Sequence, residues 1–191
     1  MSKIKRNIFY NIAYQILVLI VPIITSPYIS RVLGVEGVGT YSYVSSVAYY
    51  FFIVVTMGLT NYGNRNIAKH RDDKEARSRI FWSIYFMQLL TGICVLIAYI
   101  FYIVFVAETV YKIYFGIYVL YILAACLDIN WFFFGMENFK LTTIRNAIVK
   151  LITVIMVFIF VKNDGALIAY FVIVAGSTLL SNSIIWTRVF V

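Results

Sequence analysis

Residues that could do chemistry in this chain lie inside or beside its long apolar stretches. Asp128 stands well within one of them, with Trp131 and Gly135 following at helical spacing on the same face. A carboxylate in hydrocarbon costs about 3 kcal/mol on insertion scales, so it needs a partner, a proton or water. Arg31 stands near the end of another stretch, where it can face an interior cavity or snorkel to the interface. Lys150 and Arg145 flank the start of a later one, where topology alone would also put them. Cations toward both mouths of a bundle, with an acid between, suit the passage of an anionic headgroup. Pro22 and Pro27 each remove a backbone donor and clash with the carbonyl four residues earlier, which predicts a bent or locally opened first helix. Such a bend is tolerated in a bilayer where protein or water satisfies the freed groups, so residues 22–39 are a candidate cavity wall.

The elements that hold these residues must be membrane helices. Hydrophobic residues make up 63% of the chain and charged ones 13%, and the mean hydropathy is +0.91. Lipid is the solvent of such a sequence over most of its length. A net charge of +8 could suggest nucleic acid, but the basic residues fall between apolar segments and form no continuous face, which argues against that partner. Cys94 and Cys126 lie inside apolar segments and His70 in a charged loop, so neither a disulfide framework nor a metal site is expected. An enzyme of polysaccharide assembly would need a metal-binding acidic pair or a sizeable external loop, and neither is found.

The fold class expected is all-α, a polytopic membrane helix bundle with six transmembrane helices in one domain, 1–191. The spans are placed at about 8–33, 38–62, 80–106, 113–137, 147–162 and 166–187. Lys3, Lys5 and Arg6 begin an uncleaved first span, since the apolar run continues past a signal-peptide core. With the N-terminus inside, 13 basic residues fall on that side and three, Arg31, Lys112 and Lys162, on the other. Both termini are therefore expected in the cytoplasm. In the loop from Asn64 to Arg79, Asp72 is the expected helix cap, and Asp73 with Arg77 and Glu75 with Arg79 are spaced to pair. That loop reads as a solvated topogenic linker or as a grip on anionic lipid. The tyrosines and phenylalanines read as packing and interfacial anchors, with Tyr62 and Trp82 near the inner face.

Polar residues recur at helical spacing on the first two spans. Asn7, Asn11, Gln15, Pro22, Ser26 and Ser30 share one side, and Ser42, Ser45, Ser46, Tyr49, Thr56 and Thr60 another. Close helix packing explains a single stripe, whereas two adjacent stripes beside prolines point to a water-filled groove.

An ordered set of residues then carries a family resemblance: Asn11, Pro22, Thr25, Pro27, Tyr28, Arg31, Leu33, Gly34, Gly37, Gly39 and Tyr41, followed by Gly58, Tyr62, Gly63, Arg65, Ile67, Ala68 and Arg71. It closes with Asp128, Trp131, Phe132, Gly135, Glu137 and Phe139 in DINWFFFGMENFK. The set resembles the Wzx-type oligosaccharide flippases of the multidrug, oligosaccharide-lipid and polysaccharide exporter superfamily. The resemblance implies no enzyme, but a flippase moving an undecaprenyl-pyrophosphate-linked oligosaccharide from the inner to the outer leaflet of the bacterial cytoplasmic membrane. With Ser46 and Tyr49 of the second polar stripe and Lys150 at its span's end, Arg31 and Asp128 make up the candidate cavity residues, and the resemblance implies that Arg31 meets the pyrophosphate or a sugar acid. Asp128 would tune the cavity or take part in coupling to H+ or Na+, with no other cofactor. Pro22 and Pro27 would form a gating hinge. Phe134 departs from the glutamine common in the family. Family members have two lobes related by an axis along the membrane normal, and this chain matches the first. The expectation is a truncated N-terminal lobe completed by a second lobe or by a second copy in a homodimer. A cation-coupled multidrug exporter and a non-transporting half-length subunit are the alternatives.

Overall fold

The computed structural model describes the backbone of residues 3–189 and the side chains at positions 12 and 15–189. Asn7, Asn11, Lys3, Lys5 and Arg6 therefore lie outside the described side chains. Within that range the regular elements are helices: α1 Lys3–Thr56, α2 Leu59–Lys69, α3 Lys74–Phe101, α4 Lys112–Ile117, α5 Val119–Cys126, α6 Asn130–Gly135, α7 Phe139–Phe160 and α8 Leu167–Ile184. A π-helical turn, Tyr102–Val106, prolongs α3. Among the described residues five helical runs are long and apolar enough to cross a membrane: Gln15–Lys69, Lys74–Val106, Thr109–Gly135, Phe139–Phe160 and Asp164–Arg188. Large apolar side chains such as Ile23, Ile97, Phe105 and Leu180 point outward, as they would in lipid.

The first run contains two of the six expected spans. On a straight helix Val21 and Phe52 would stand about 46 Å apart, yet both line one cavity. The chain doubles back at Gly34, where φ is 66° and ψ is −178°. A side chain there would be strained by the backbone alone, since a Cβ would meet nothing within 4 Å. The reversal falls in the gap between the spans placed at 8–33 and 38–62. Pro22 and Pro27 are exposed and helical structure continues through both, because losing a ladder bond weakens a helix without reversing it. Reversal needs a conformation that glycine supplies.

A second irregularity, at Met57 and Gly58 with φ of 27° and 75°, starts α2 in a new direction. This helix is amphipathic and buries Leu59, Gly63 and Ile67, spaced four apart. Asp73, not Asp72, caps α3: its carboxylate accepts from the Glu75 and Ala76 amides, each at 3.0 Å. Committed to the cap, Asp73 does not pair with Arg77, which donates instead to the Arg71 carbonyl at 2.7 Å. Arg71 pairs with Glu137 at 2.8 Å.

Two apolar clusters stack along the bundle. One gathers Val44, Tyr99, Phe115, Ile122 and Phe171, the other Ile67, Phe81, Ile84, Trp131 and Ile185. Glycines permit the closest approaches within the second. A Cβ at Gly63 would lie 2.5 Å from the Trp131 ring, and one at Gly135 would lie 2.7 Å from Ile67. The residues that carry the family resemblance in α2 and α6 are thus packed against one another.

Candidate functional site

The run expected as one straight span at 113–137 is broken. Helix α5 ends at Cys126 and α6 begins at Asn130, with Leu127, Asp128 and Ile129 off the helical path. Buried backbone carbonyls freed by a break need donors, and side chains from two other spans provide them. Gln88 of α3 donates to the Ala125 carbonyl at 2.8 Å and to that of Asp128 at 2.9 Å. From α8, Asn182 donates to the Ala124 carbonyl at 2.8 Å, and just beyond its end Trp186 donates to that of Leu127 at 3.0 Å. Gln88 is only 1% exposed, and its carbonyl accepts from the Trp131 indole at 3.1 Å. Every hydrogen-bonding atom of that amide is aimed at the broken segment.

The break turns the Asp128 carboxylate toward Asn130. Its Oδ1 accepts from the Asn130 backbone amide at 2.9 Å and from the Asn130 side chain at 2.6 Å. The other end of that amide accepts from Arg145 Nη2 at 2.7 Å. Arg145 also donates to Asn146 through Nε at 3.1 Å and Nη2 at 2.6 Å, and Ser181 reaches the same Asn146 oxygen at 3.3 Å. An acid and a guanidinium are thereby linked through one amide inside an apolar bundle, which offsets the cost of burying each charge. Arg145 is 9% exposed and lies within α7, which begins eight residues before the expected start of that span at 147. Burial and these amide contacts give Arg145 a structural role that its reading as a topogenic charge did not include. Paired with amides, the cation can be carried inside the helix.

Asp128, Asn130, Asn146 and Asn182 line a cavity of about 350 Å³, together with Lys150, Thr153, Ser177, Thr178 and Ser181. Helix α7 presents Asn146, Lys150, Thr153 and Val157 to it at intervals of three and four, and α1 contributes Val21, Thr25, Tyr41 and Phe52. A second cavity of about 420 Å³ shares Tyr41, Val174 and Thr178 with the first, and is lined also by Ser45, Ser46, Tyr49, Tyr118 and Tyr121. Of the expected site residues, Asp128 and Lys150 meet in the first cavity and Ser46 and Tyr49 line its neighbour. Arg31 is exposed and lines neither. Gln88, Asn130, Asn146 and Asn182 were not singled out by sequence. An amide inside an apolar segment is the signal that could have found them.

The arrangement offers a cation, an acid held by a neutral amide, and a wall of amides and hydroxyls: a surface for binding a polar, negatively charged molecule. Among the described residues no three His, Cys, Asp or Glu side chains gather as a metal site would require.

Residues 4–191 match the family model described as polysaccharide biosynthesis protein. Two curated relatives, one from Escherichia coli (strain K12) and one from Shigella dysenteriae, are each named "Putative O-antigen transporter". The first is 26% identical over 170 residues, covering 87% of this chain and 41% of the relative. The second is 26% identical over 148 residues, covering 78% of this chain and 37% of the relative. The chain thus spans about two fifths of the length of these relatives. No solved structure matches it significantly.

Proposed function

Because the chain belongs to the polysaccharide biosynthesis protein family, we propose that it forms one lobe of a membrane transporter that moves a lipid-linked oligosaccharide across the bacterial cytoplasmic membrane, from the inner to the outer leaflet. The observation that carries this reading is the polar cavity between α1, α7 and α8, which holds Lys150 and Asp128 inside a bundle whose outside is apolar. The Lys150 ammonium would attract the pyrophosphate of an undecaprenyl-pyrophosphate carrier, with the sugars against the amides and hydroxyls of Asn146, Ser177, Thr178 and Ser46. Asp128 is the group at which a coupling proton or sodium ion would act, poised by Asn130 and, through it, by Arg145. A second lobe, from a longer chain or from a second copy, would close the cavity on its open side. Both relatives are named transporters, and no enzymatic step is proposed.

The test is complementation in bacteria lacking their own transporter for the same polysaccharide. Surface polysaccharide restored by the intact gene and lost in Asp128→Asn and Lys150→Ala variants, each inserted at the normal level, supports the reading. Restoration by both variants would remove the cavity from the mechanism.

A further inference from the structure

A groove separate from the polar cavity runs between α2 and α3. It encloses about 550 Å³ and changes character along its length. Because α2 and α3 run in opposite directions, Asn66 and Arg79 share one end, Tyr62 and Ser83 the middle, and Met57 and Met87 the other end. Arg79 and Met87 lie about 12 Å apart along α3. That distance suits a phosphate at one end and the first part of an acyl chain at the other.

We propose that this groove holds an anionic phospholipid of the surrounding membrane, with its phosphate on Arg79 and Asn66, its ester region beside Tyr62 and Ser83, and an acyl chain against Met57 and Met87. Charge complementarity picks this occupant. The loop from Asn64 to Arg79 carries six basic and three acidic residues, and two of its cations are engaged: Arg71 with Glu137, and Arg77 with the Arg71 carbonyl. Arg79 is exposed and makes no ion pair with a described residue, so it is open to a phosphate. Tyr62, in the groove's middle, and Trp82, next to Ser83 in sequence, are exposed aromatics of the kind that favour a membrane interface. The apolar end is built from two flexible thioethers, which adapt to a chain without fixed shape. Gly58 opens that end: no atom lies within 4 Å of where its Cβ would be, while its φ of 75° turns α2 away from α1. The proposal is independent of what the polar cavity transports.

Native mass spectrometry of the detergent-solubilised protein, titrated with phosphatidylglycerol or phosphatidylcholine, tests it. The wild type should retain phosphatidylglycerol preferentially. Arg79→Gln should weaken that retention roughly fivefold, the effect of one cation near an anionic surface. Lys74→Gln, with the same charge change outside the groove, should leave it near wild type, and Met87→Trp, which fills the apolar end, should lower binding of both lipids. Equal losses in the Arg79 and Lys74 variants would reduce the effect to diffuse attraction by the loop and overturn the site. So would unchanged binding by Met87→Trp.

Discussion

Arg145 Nη2 donates to Asn130 Oδ1 at 2.7 Å, and the amide that receives it donates in turn to Asp128 at 2.6 Å. A single neutral side chain thus stands between an acid and a guanidinium within the helix bundle. Removing it while keeping its bulk, as in Asn130→Leu, takes one hydrogen bond from each charge, while Asn146 still bonds Arg145 and the backbone amide at 130 still bonds Asp128. A hydrogen bond to a charged group is worth about 1.5–3 kcal/mol, so thermal unfolding in detergent should show a loss of at least that order. An unchanged midpoint would mean that the bridge contributes nothing to stability.

Gln88 is the second target. Replacing it with leucine keeps its volume but abandons the carbonyls of Ala125 and Asp128 and the indole of Trp131. At about 1 kcal/mol for each net bond, the variant should lose roughly 3 kcal/mol. Gln88→Glu should also destabilise, because an ionised carboxylate accepts from the indole but cannot donate to carbonyls. Wild-type stability in both variants would show that water replaces the amide at the break.

Glycine-mediated packing of α2 on α6 gives a third prediction. Gly63→Ala would drive a methyl group into the Trp131 ring, whereas Gly39→Ala meets nothing within 4 Å. Overpacking costs about 1–3 kcal/mol, so Gly63→Ala should lower the unfolding midpoint while Gly39→Ala leaves it unchanged or raises it slightly through helix propensity. Equal midpoints for the two would refute the close approach.

Hydropathy made much of this architecture legible. Continuous apolar runs marked the long helices. The gap between the spans placed at 8–33 and 38–62 holds the reversal at Gly34, which depends on a positive φ, while helical structure continues through Pro22 and Pro27. The break at Leu127–Ile129 was not legible locally, since no proline or glycine lies between Cys126 and Asn130. It is held open by Gln88, Asn182 and Trp186, distant in sequence, whose donors make the lost helical bonds affordable. Asp128 was found by its charge alone. Arg145 was read as a boundary marker because its partners, Asn130 and Asn146, are neutral and leave no mark in a charge map.

Arg31 supplies a fourth prediction. It is exposed and lines neither polar cavity, so Arg31→Ala should reduce surface polysaccharide less than Lys150→Ala does. A greater loss for the arginine variant, at equal membrane levels, would return Arg31 to the transport path.

Lys150 carries the central claim, because it is the cation in the cavity that also holds Asp128. The most direct measurement is surface polysaccharide in cells whose only copy of this gene carries Lys150→Ala, with Lys162→Ala, an exposed lysine outside both cavities, as the control. The account predicts that polysaccharide disappears from the surface of the Lys150 variant and persists in the Lys162 variant, with both proteins at normal membrane levels. Full export by the Lys150 variant would contradict it.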